Sequence, residues 1–192
     1  MDKSMKYSTS DIKNGLKVLI DGEPCIIIEN EFEKPGKGQA FTRVKLKHCL
    51  TGRVLDRTYK SGQSLPQADV QEQSMTYLYN DGTVYHFMNQ DSYEQTEISA
   101  QAVGDSENWL KEQNSYQILF WNQQPVSVSP EKFMVLEVTE CEPNVKGNSQ
   151  SGIMKNATVE TGANIKVPLF IKQGDKIKID TRDKSYIERV SN

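Results

Sequence analysis

Short runs in which apolar and polar residues alternate, each closed by a turn signal, fill most of the chain, and this two-residue period predicts strands rather than helices. Lys17-Val18-Leu19-Ile20 leads into Asp21-Gly22, a hairpin signal, and Pro24-Cys25-Ile26-Ile27-Ile28 follows as a partly buried strand. From Phe41 to His48 the alternation puts Thr42, Val44, Leu46 and His48 on one face and Phe41, Arg43, Lys45 and Lys47 on the other. Thr51-Gly52 turns the chain into a further strand, Arg53-Val54-Leu55-Asp56-Arg57-Thr58-Tyr59. Residues 1–65 are expected to close into a small SH3-like barrel.

Residues 60–68, with two serines, Gly62 and Pro66, read as a linker. Beyond it a second strand set begins. Residues 73–79 and 83–88 flank Asn80-Asp81-Gly82, another hairpin signal, and residues 115–121 are extended again. Between them, residues 106–112 predict a turn or two of helix with Asp105 or Ser106 as its cap. Several strands with one short helix over residues 66–129 fit a small Greek-key barrel of the OB type. The pattern restarts at Pro130 with strands at 133–139, 165–171, 176–180 and 186–190, and a long polar loop at 143–156. The expected architecture is all-β: three tandem small barrels over 1–65, 66–129 and 130–192.

Charge reinforces this division. Of the 192 residues, the first 65 carry 12 Lys/Arg against 8 Asp/Glu, residues 66–129 carry 1 against 9, and residues 130–192 carry 10 against 9. An acidic middle between two lysine-rich ends argues for separate modules, and places any polyanion contact at the ends. No apolar run approaches a membrane span, and the first residues lack the apolar core of a secretory signal, so a cytoplasmic protein without membrane contact is expected. Cys25, Cys49 and Cys141 are too widely spaced for a zinc or redox motif, and His48 and His86 are too few for a metal cluster. No nucleophile elbow, phosphate loop or His-Glu-x-x-His motif is present, so no enzyme, cofactor or metal is indicated.

Two features carry candidate chemistry. In Glu33-Lys34-Pro35-Gly36-Lys37-Gly38-Gln39 one lysine stands between two glycines after a proline, which presents an amine at a loop tip; a plain hairpin turn would have the same composition. Beside it, Arg43, Lys45 and Lys47 repeat every second residue and align in a basic row suited to a phosphate backbone, or to a solvated strand face. Phe41 and Tyr59 could stack on bases, although packing in a small core is the better reading. Glu31 and Glu33 read as solvated surface.

Lys34-Pro35-Gly36-Lys37-Gly38-Gln39-Ala40-Phe41 resembles the lysine loop of bacterial elongation factor P. The last segment fits the same family independently, with Lys155, Ala157, Gly162, Ile165, Val167, Pro168, Ile171 and Gly174 in its expected order and spacing. Thr76-Tyr77-Leu78-Tyr79-Asn80-Asp81-Gly82 is similar to its middle domain, so the resemblance runs over essentially the whole chain.

The resemblance implies an L-shaped mimic of transfer RNA, with a KOW/SH3-like domain followed by two OB domains. It implies a monomeric factor that binds the ribosome beside the P-site tRNA, lies along the acceptor arm, and relieves stalling at consecutive prolines. By position in the motif the tip lysine is Lys37, positioned by Pro35, Gly36 and Gly38 and extended by β-lysylation, in some members with hydroxylation. A ligase resembling lysyl-tRNA synthetase would add the group. Lys34, Arg43, Lys45 and Lys47 become candidate contacts to tRNA or rRNA. Gly147, Asn148 and Ser149 fall where relatives carry a loop directed at the E-site codon, although this sequence departs from the usual Gly-Thr-rich version. Tyr186 and Arg189 match positions that face the small subunit. Two rivals remain. A biotinyl- or lipoyl-type carrier also displays one modified lysine, but between methionines or beside aspartate and on a single barrel. An OB-fold RNA-binding protein or chaperone would be indifferent to Lys37.

Overall fold

The computed structural model describes residues 5–143 and 153–190. Its strands are β1 (Lys6–Ser8), β2 (Lys17–Ile20), β3 (Glu23–Glu33), β4 (Phe41–His48), β5 (Val54–Lys60) and β6 (Ser64–Pro66) in the first barrel. The middle domain holds β7 (Val70–Asn80), β8 (Val84–Met88), β9 (Gln95–Ser99), β10 (Ser115–Trp121) and β11 (Gln124–Ser129). The last holds β12 (Phe133–Cys141), β13 (Met154–Val159), β14 (Asn164–Pro168), β15 (Lys176–Asp180) and β16 (Ser185–Val190). The chain falls into two compact units, residues 1–72 with 119–126, and residues 73–118 with 127–192.

In the first unit β2, β3, β4 and β5 form an antiparallel meander. The β2–β3 turn is the expected Asp21-Gly22, with φ of 53° and 84°, the left-handed pair that a two-residue hairpin loop needs. Thr42, Val44, Leu46 and His48 are all buried, as the alternation predicts, and Val44 and Leu46 join Ile12, Val18, Ile20, Cys25, Ile27 and Leu65 in one core. Leu65 lies in the stretch expected to be a linker. Instead, Ser64–Pro66 pairs with Lys6–Ser8, Tyr7 opposite Leu65, because one leucine in an otherwise polar run can fill the barrel's open end. Pro66 is tolerated because β6 pairs on one side only.

The last two domains share a topology. The closed barrel runs β12-β13-β14-β16-β15, and the middle sheet runs β11-β10-β7-β8-β9. Numbered within each domain, these orders are 1-2-3-5-4 and 5-4-1-2-3, which share four neighbour pairs, and the last barrel adds the parallel 3-5 pair that closes it, as in a five-stranded Greek-key barrel of the OB type. The helical segment lies between the third and fourth strands of the middle domain. It begins earlier than the sequence suggests, as a short α-helix at Ala100–Val103 capped by Ser99, whose hydroxyl accepts from the Ala102 N–H at 3.3 Å. A 3-10 turn follows at Gly104–Trp109, and Ser106 is no cap: its hydroxyl donates to the Val128 carbonyl at 2.6 Å. In the last domain β13 already includes Met154, Asn156 and the residue between them, so the polar loop ends sooner than expected.

Trp109, at the end of that turn, is buried in the core of the last barrel with Leu136, Val138, Val159, Ile165 and Ile177. Its position is fixed from behind by Tyr116, whose hydroxyl donates to the Trp109 carbonyl at 2.7 Å and accepts the Lys111 N–H at 2.8 Å. Burial pushes the Tyr116 phenol up to about 12, so the bond-donating form persists at all ordinary pH. Lys111 Nζ then reaches Glu160 Oε1 at 2.8 Å, an oxygen that also accepts the Glu137 N–H at 3.0 Å. Burial opposes charge on Glu160, but these bonds hold its carboxyl below the usual range.

Tyr116→Phe should leave the Lys111 N–H and the Trp109 carbonyl without their partner and cost about 1–3 kcal/mol in urea unfolding, with an unchanged m-value. Lys111→Ala, which breaks an exposed pair, should cost under about 1 kcal/mol. At the β15–β16 turn, the Arg182 guanidinium donates to both oxygens of buried Asp180, and with the Arg182 N–H lowers that carboxyl from 3.8 to about 2. A carboxyl lowered in the folded state adds stability that is complete above its unfolded value and disappears as pH falls through its folded one. The melting-temperature gap between parent and Asp180→Asn should therefore be constant above about pH 4 and close progressively toward pH 2.

Candidate functional site

β3 and β4 run past the core of the first barrel and are joined by the lysine loop. Pairing continues to Glu33 opposite Phe41, so residues 34–40 form the tip. Lys34, Pro35, Gly36, Lys37, Gly38 and Gln39 are all exposed. Gly38 has φ +134°, a backbone state that an L side chain rarely adopts, and its neighbour is the Pro35 ring, 3.6 Å from where a Cβ would stand. Among the described residues no carboxylate lies within ion-pair distance of Lys37. The tip is tied at its base on the β4 side: Gln39 Nε2 donates to the Ser61 carbonyl at 3.2 Å, and the Ser61 N–H donates to the Ala40 carbonyl at 2.9 Å. The amine is thus free while its base is held.

The basic row lies on the outward face of this hairpin, and its surroundings depend on a bulge. Ile27 pairs with Leu46, but Glu29 pairs with Lys45, so Ile28 is an extra residue that reverses the inside–outside parity of all that follows on β3. Glu29, Glu31 and Glu33 therefore stand opposite Lys45, Arg43 and Phe41 on the outer face. Lys45 Nζ donates to Glu29 Oε2 at 2.8 Å, a bond that raises the Lys45 ammonium above its ordinary value. Arg43 Nη1 lies 3.2 Å from Glu33 Oε1, and its guanidinium carbon lies 5.5 Å from the centre of the Phe41 ring. From β5, Asp56 pairs with Lys45 and Lys60 with Phe41. Lys47 lies opposite Ile26 and Val54, with no carboxylate beside it across either strand. Glu29, Glu33 and Gln39 were the residues sequence reading did not single out as partners, and no local signal could have found them.

Tyr59 packs against the barrel core, with burial raising its phenol, whereas Phe41 stays half-exposed under Arg43. His48 is structural: its Nδ1 accepts the Leu50 and Thr51 N–H groups, each at 3.2 Å, which leaves Nε2–H to donate to Glu23 Oε2 at 2.5 Å. That ring therefore shapes the β4–β5 turn. His86 stacks on Tyr79 with ring centres 4.4 Å apart and meets Asp81, whose carboxyl is lowered to about 2 by that bond and by the Val84 and Thr83 N–H groups. Burial raises the thiols of Cys25 and Cys49. Among the described residues no group of three His, Cys, Asp or Glu side chains is placed to hold a metal, and no helix is long and apolar enough to cross a membrane.

In the last barrel Tyr186 is half-buried against the core, and Arg189 is exposed, 3.8 Å from Asp175 Oδ2 and 5.7 Å from the centre of the Phe170 ring. Gly147, Asn148 and Ser149 lie outside the described residues.

Family models match this chain along its length. The KOW-like domain of elongation factor P matches residues 8–65, the elongation factor P OB domain residues 70–128, and the C-terminal domain of elongation factor P residues 134–189. Among solved structures, a translation initiation factor eif-5a family protein from Naegleria fowleri ATCC 30863 is 16% identical, with a TM-score of 0.51, over 65% of this chain and 97% of its own. Eukaryotic translation initiation factor 5A from Methanococcus jannaschii is 20% identical, with a TM-score of 0.48, over 68% of this chain and 98% of its own. With all three domain models matched in order, and a hairpin that carries one free lysine between two glycines, this chain belongs to the elongation factor P family.

Proposed function

We propose that this translation factor binds the ribosome next to the P-site tRNA and stimulates peptide-bond formation through Lys37, relieving stalls at consecutive prolines. The observation that carries the reading is the tip itself: an amine with no carboxylate partner among the described residues, on a narrow Pro-Gly loop, beyond a hairpin that is hydrogen-bonded up to its last pair. A loop without bulky side chains can enter an RNA cavity, and the ordered base carries the amine to a defined place. There the positive charge contacts phosphate and ribose oxygens of the tRNA end and holds it in a geometry suited to attack. This is orientational help to a reaction catalysed elsewhere, and the factor makes no bond itself.

Lys37 is in this reading the site of β-lysylation, with hydroxylation a further step, by a ligase resembling lysyl-tRNA synthetase. Exposure of residues 34–39 supports it, since a modifying enzyme must enclose the amine. Lys34 and Lys47 add charge along the hairpin, with Arg43 and Lys45 behind their glutamates. Tyr186 and Arg189 are proposed contacts of the last barrel with the small subunit. The factor is expected to act as a monomer in the cytoplasm.

In a reconstituted translation system, Lys37→Ala should leave the melting temperature unchanged and lower synthesis through a proline run by about tenfold or more relative to the parent. A variant that rescues as well as the parent sinks the reading in favour of an OB-fold RNA-binding protein without a lysine-dependent role. Peptide mass spectrometry of protein from its native host should find an added mass on Lys37. An unmodified and fully active protein would remove the modification alone.

A further inference from the structure

The glutamates on the hairpin's outer face are not needed to present Lys37, yet they are arranged with respect to the cations. Glu33 holds Arg43 and Glu29 holds Lys45, whereas Glu31, between them on the same face and directly opposite Arg43, makes no ion pair among the described residues. Glu29, Glu31, Glu33 and Asp56 share this face with Arg43, Lys45, Lys47 and Lys60, so it carries almost no net charge. Two of the three cations in the row that reads as basic in the sequence, Arg43 and Lys45, are thus electrically covered in the folded protein, and Lys47 is not.

We propose that Glu29 and Glu33 are specificity covers: they occupy the phosphate-binding positions of Lys45 and Arg43 in the free factor, and RNA phosphates displace them only where docking imposes the matching geometry. The inference rests on the reading of this hairpin as RNA-facing. A carboxylate and a phosphate each offer anionic oxygens to the planar fork of a guanidinium, and either holds an ammonium as a point charge, so one substitutes for the other without rebuilding the site. Exchange is easy because both pairs are partly open to solvent, with Arg43 61% and Glu33 35% accessible in one and Lys45 39% and Glu29 66% in the other, where ion pairs contribute little. Sequence-independent attraction to RNA depends on uncompensated cations that release counterions. Covering two of them lowers that attraction for any stray RNA, while Lys34 and Lys37 at the tip have no ion pair among the described residues. The placement depends on the Ile28 bulge, since without it the same glutamates would face inward.

The test measures binding of the full chain to two probes, a tRNA transcript and an unrelated single-stranded RNA, by fluorescence anisotropy across a salt series. Glu29→Gln and Glu33→Gln should each tighten binding to both RNAs about two- to five-fold at low salt and steepen the slope of log K against log salt by about 0.7–0.9, one phosphate contact each. Glu31→Gln removes the same charge from the same face without freeing a cation, and should leave the slope unchanged. If the parent binds too weakly to measure, appearance of binding in the first two variants but not in Glu31→Gln is the expected result. Unchanged binding in Glu29→Gln and Glu33→Gln, or equal tightening by Glu31→Gln, overturns the proposal. Lys37→Ala does not alter this comparison, so the role of the tip lysine and the role of the covers can fail separately.

Discussion

One unpaired residue in β3 sets the character of the whole lysine hairpin. A strand exposes alternate side chains to alternate faces, and an inserted residue exchanges the two sets beyond it. Up to Ile27 the core-facing positions of β3 are Cys25 and Ile27, buried opposite His48 and Leu46. Continued without interruption, the same period would place Glu29, Glu31 and Glu33 inward. The extra Ile28 turns them outward, opposite the basic row, and turns Asn30 and Phe32 toward Val44 and Thr42. Phe32 nonetheless remains 61% exposed, because the hairpin has by then passed the end of the core. The loop is therefore carried by hydrogen bonds and cross-strand pairs rather than by burial, which is how a tip can protrude and still have a defined base.

The second unit solves a different problem. Small barrels bury a modest share of their surface and gain by adding contacts to neighbours. Here the middle domain contributes Trp109 to the core of the last barrel, and the segment that carries it is bonded on two sides: Tyr116 holds the Trp109 carbonyl and the Lys111 N–H, and the Lys111 ammonium reaches Glu160. The acidic character of the middle domain does not disturb this contact, because its one lysine, Lys111, is placed at the carboxylate of Glu160. Tyr116 is the less visible half of the arrangement. Its ring packs among Tyr77 and Phe87 in the middle domain while its hydroxyl fixes the turn that reaches into the last one.

Much of this was legible from residue order. Strand positions, the Asp21-Gly22 and Asn80-Asp81-Gly82 turns, the burial of Thr42, Val44, Leu46 and His48, and the exposed lysine between glycines all follow from local preference and a period of two. The helical segment was misplaced because two serines compete as caps, and Ser106 is drawn to the Val128 carbonyl, a partner that is distant in sequence. The linker concealed a strand because Leu65 alone signals burial, and what it fills is formed by residues at the other end of the domain. At the site, Lys37 was visible because its presentation is a property of the loop alone. The neutralisation of Arg43 and Lys45 was not, because it needs the pairing of β3 with β4.

The sequence by itself determined which segments are strands, where they turn, that the chain divides into basic, acidic and mixed thirds, and that one lysine stands at a tip; each is a preference of a residue and its immediate neighbours. Only the tertiary structure decided which side of a strand faces which charge, which core receives Trp109, and what closes the end of the first barrel. These depend on register between distant segments, and register changes sign with a single inserted residue. A period of two can be read along one strand, but its phase relative to a partner is fixed only when the two are paired.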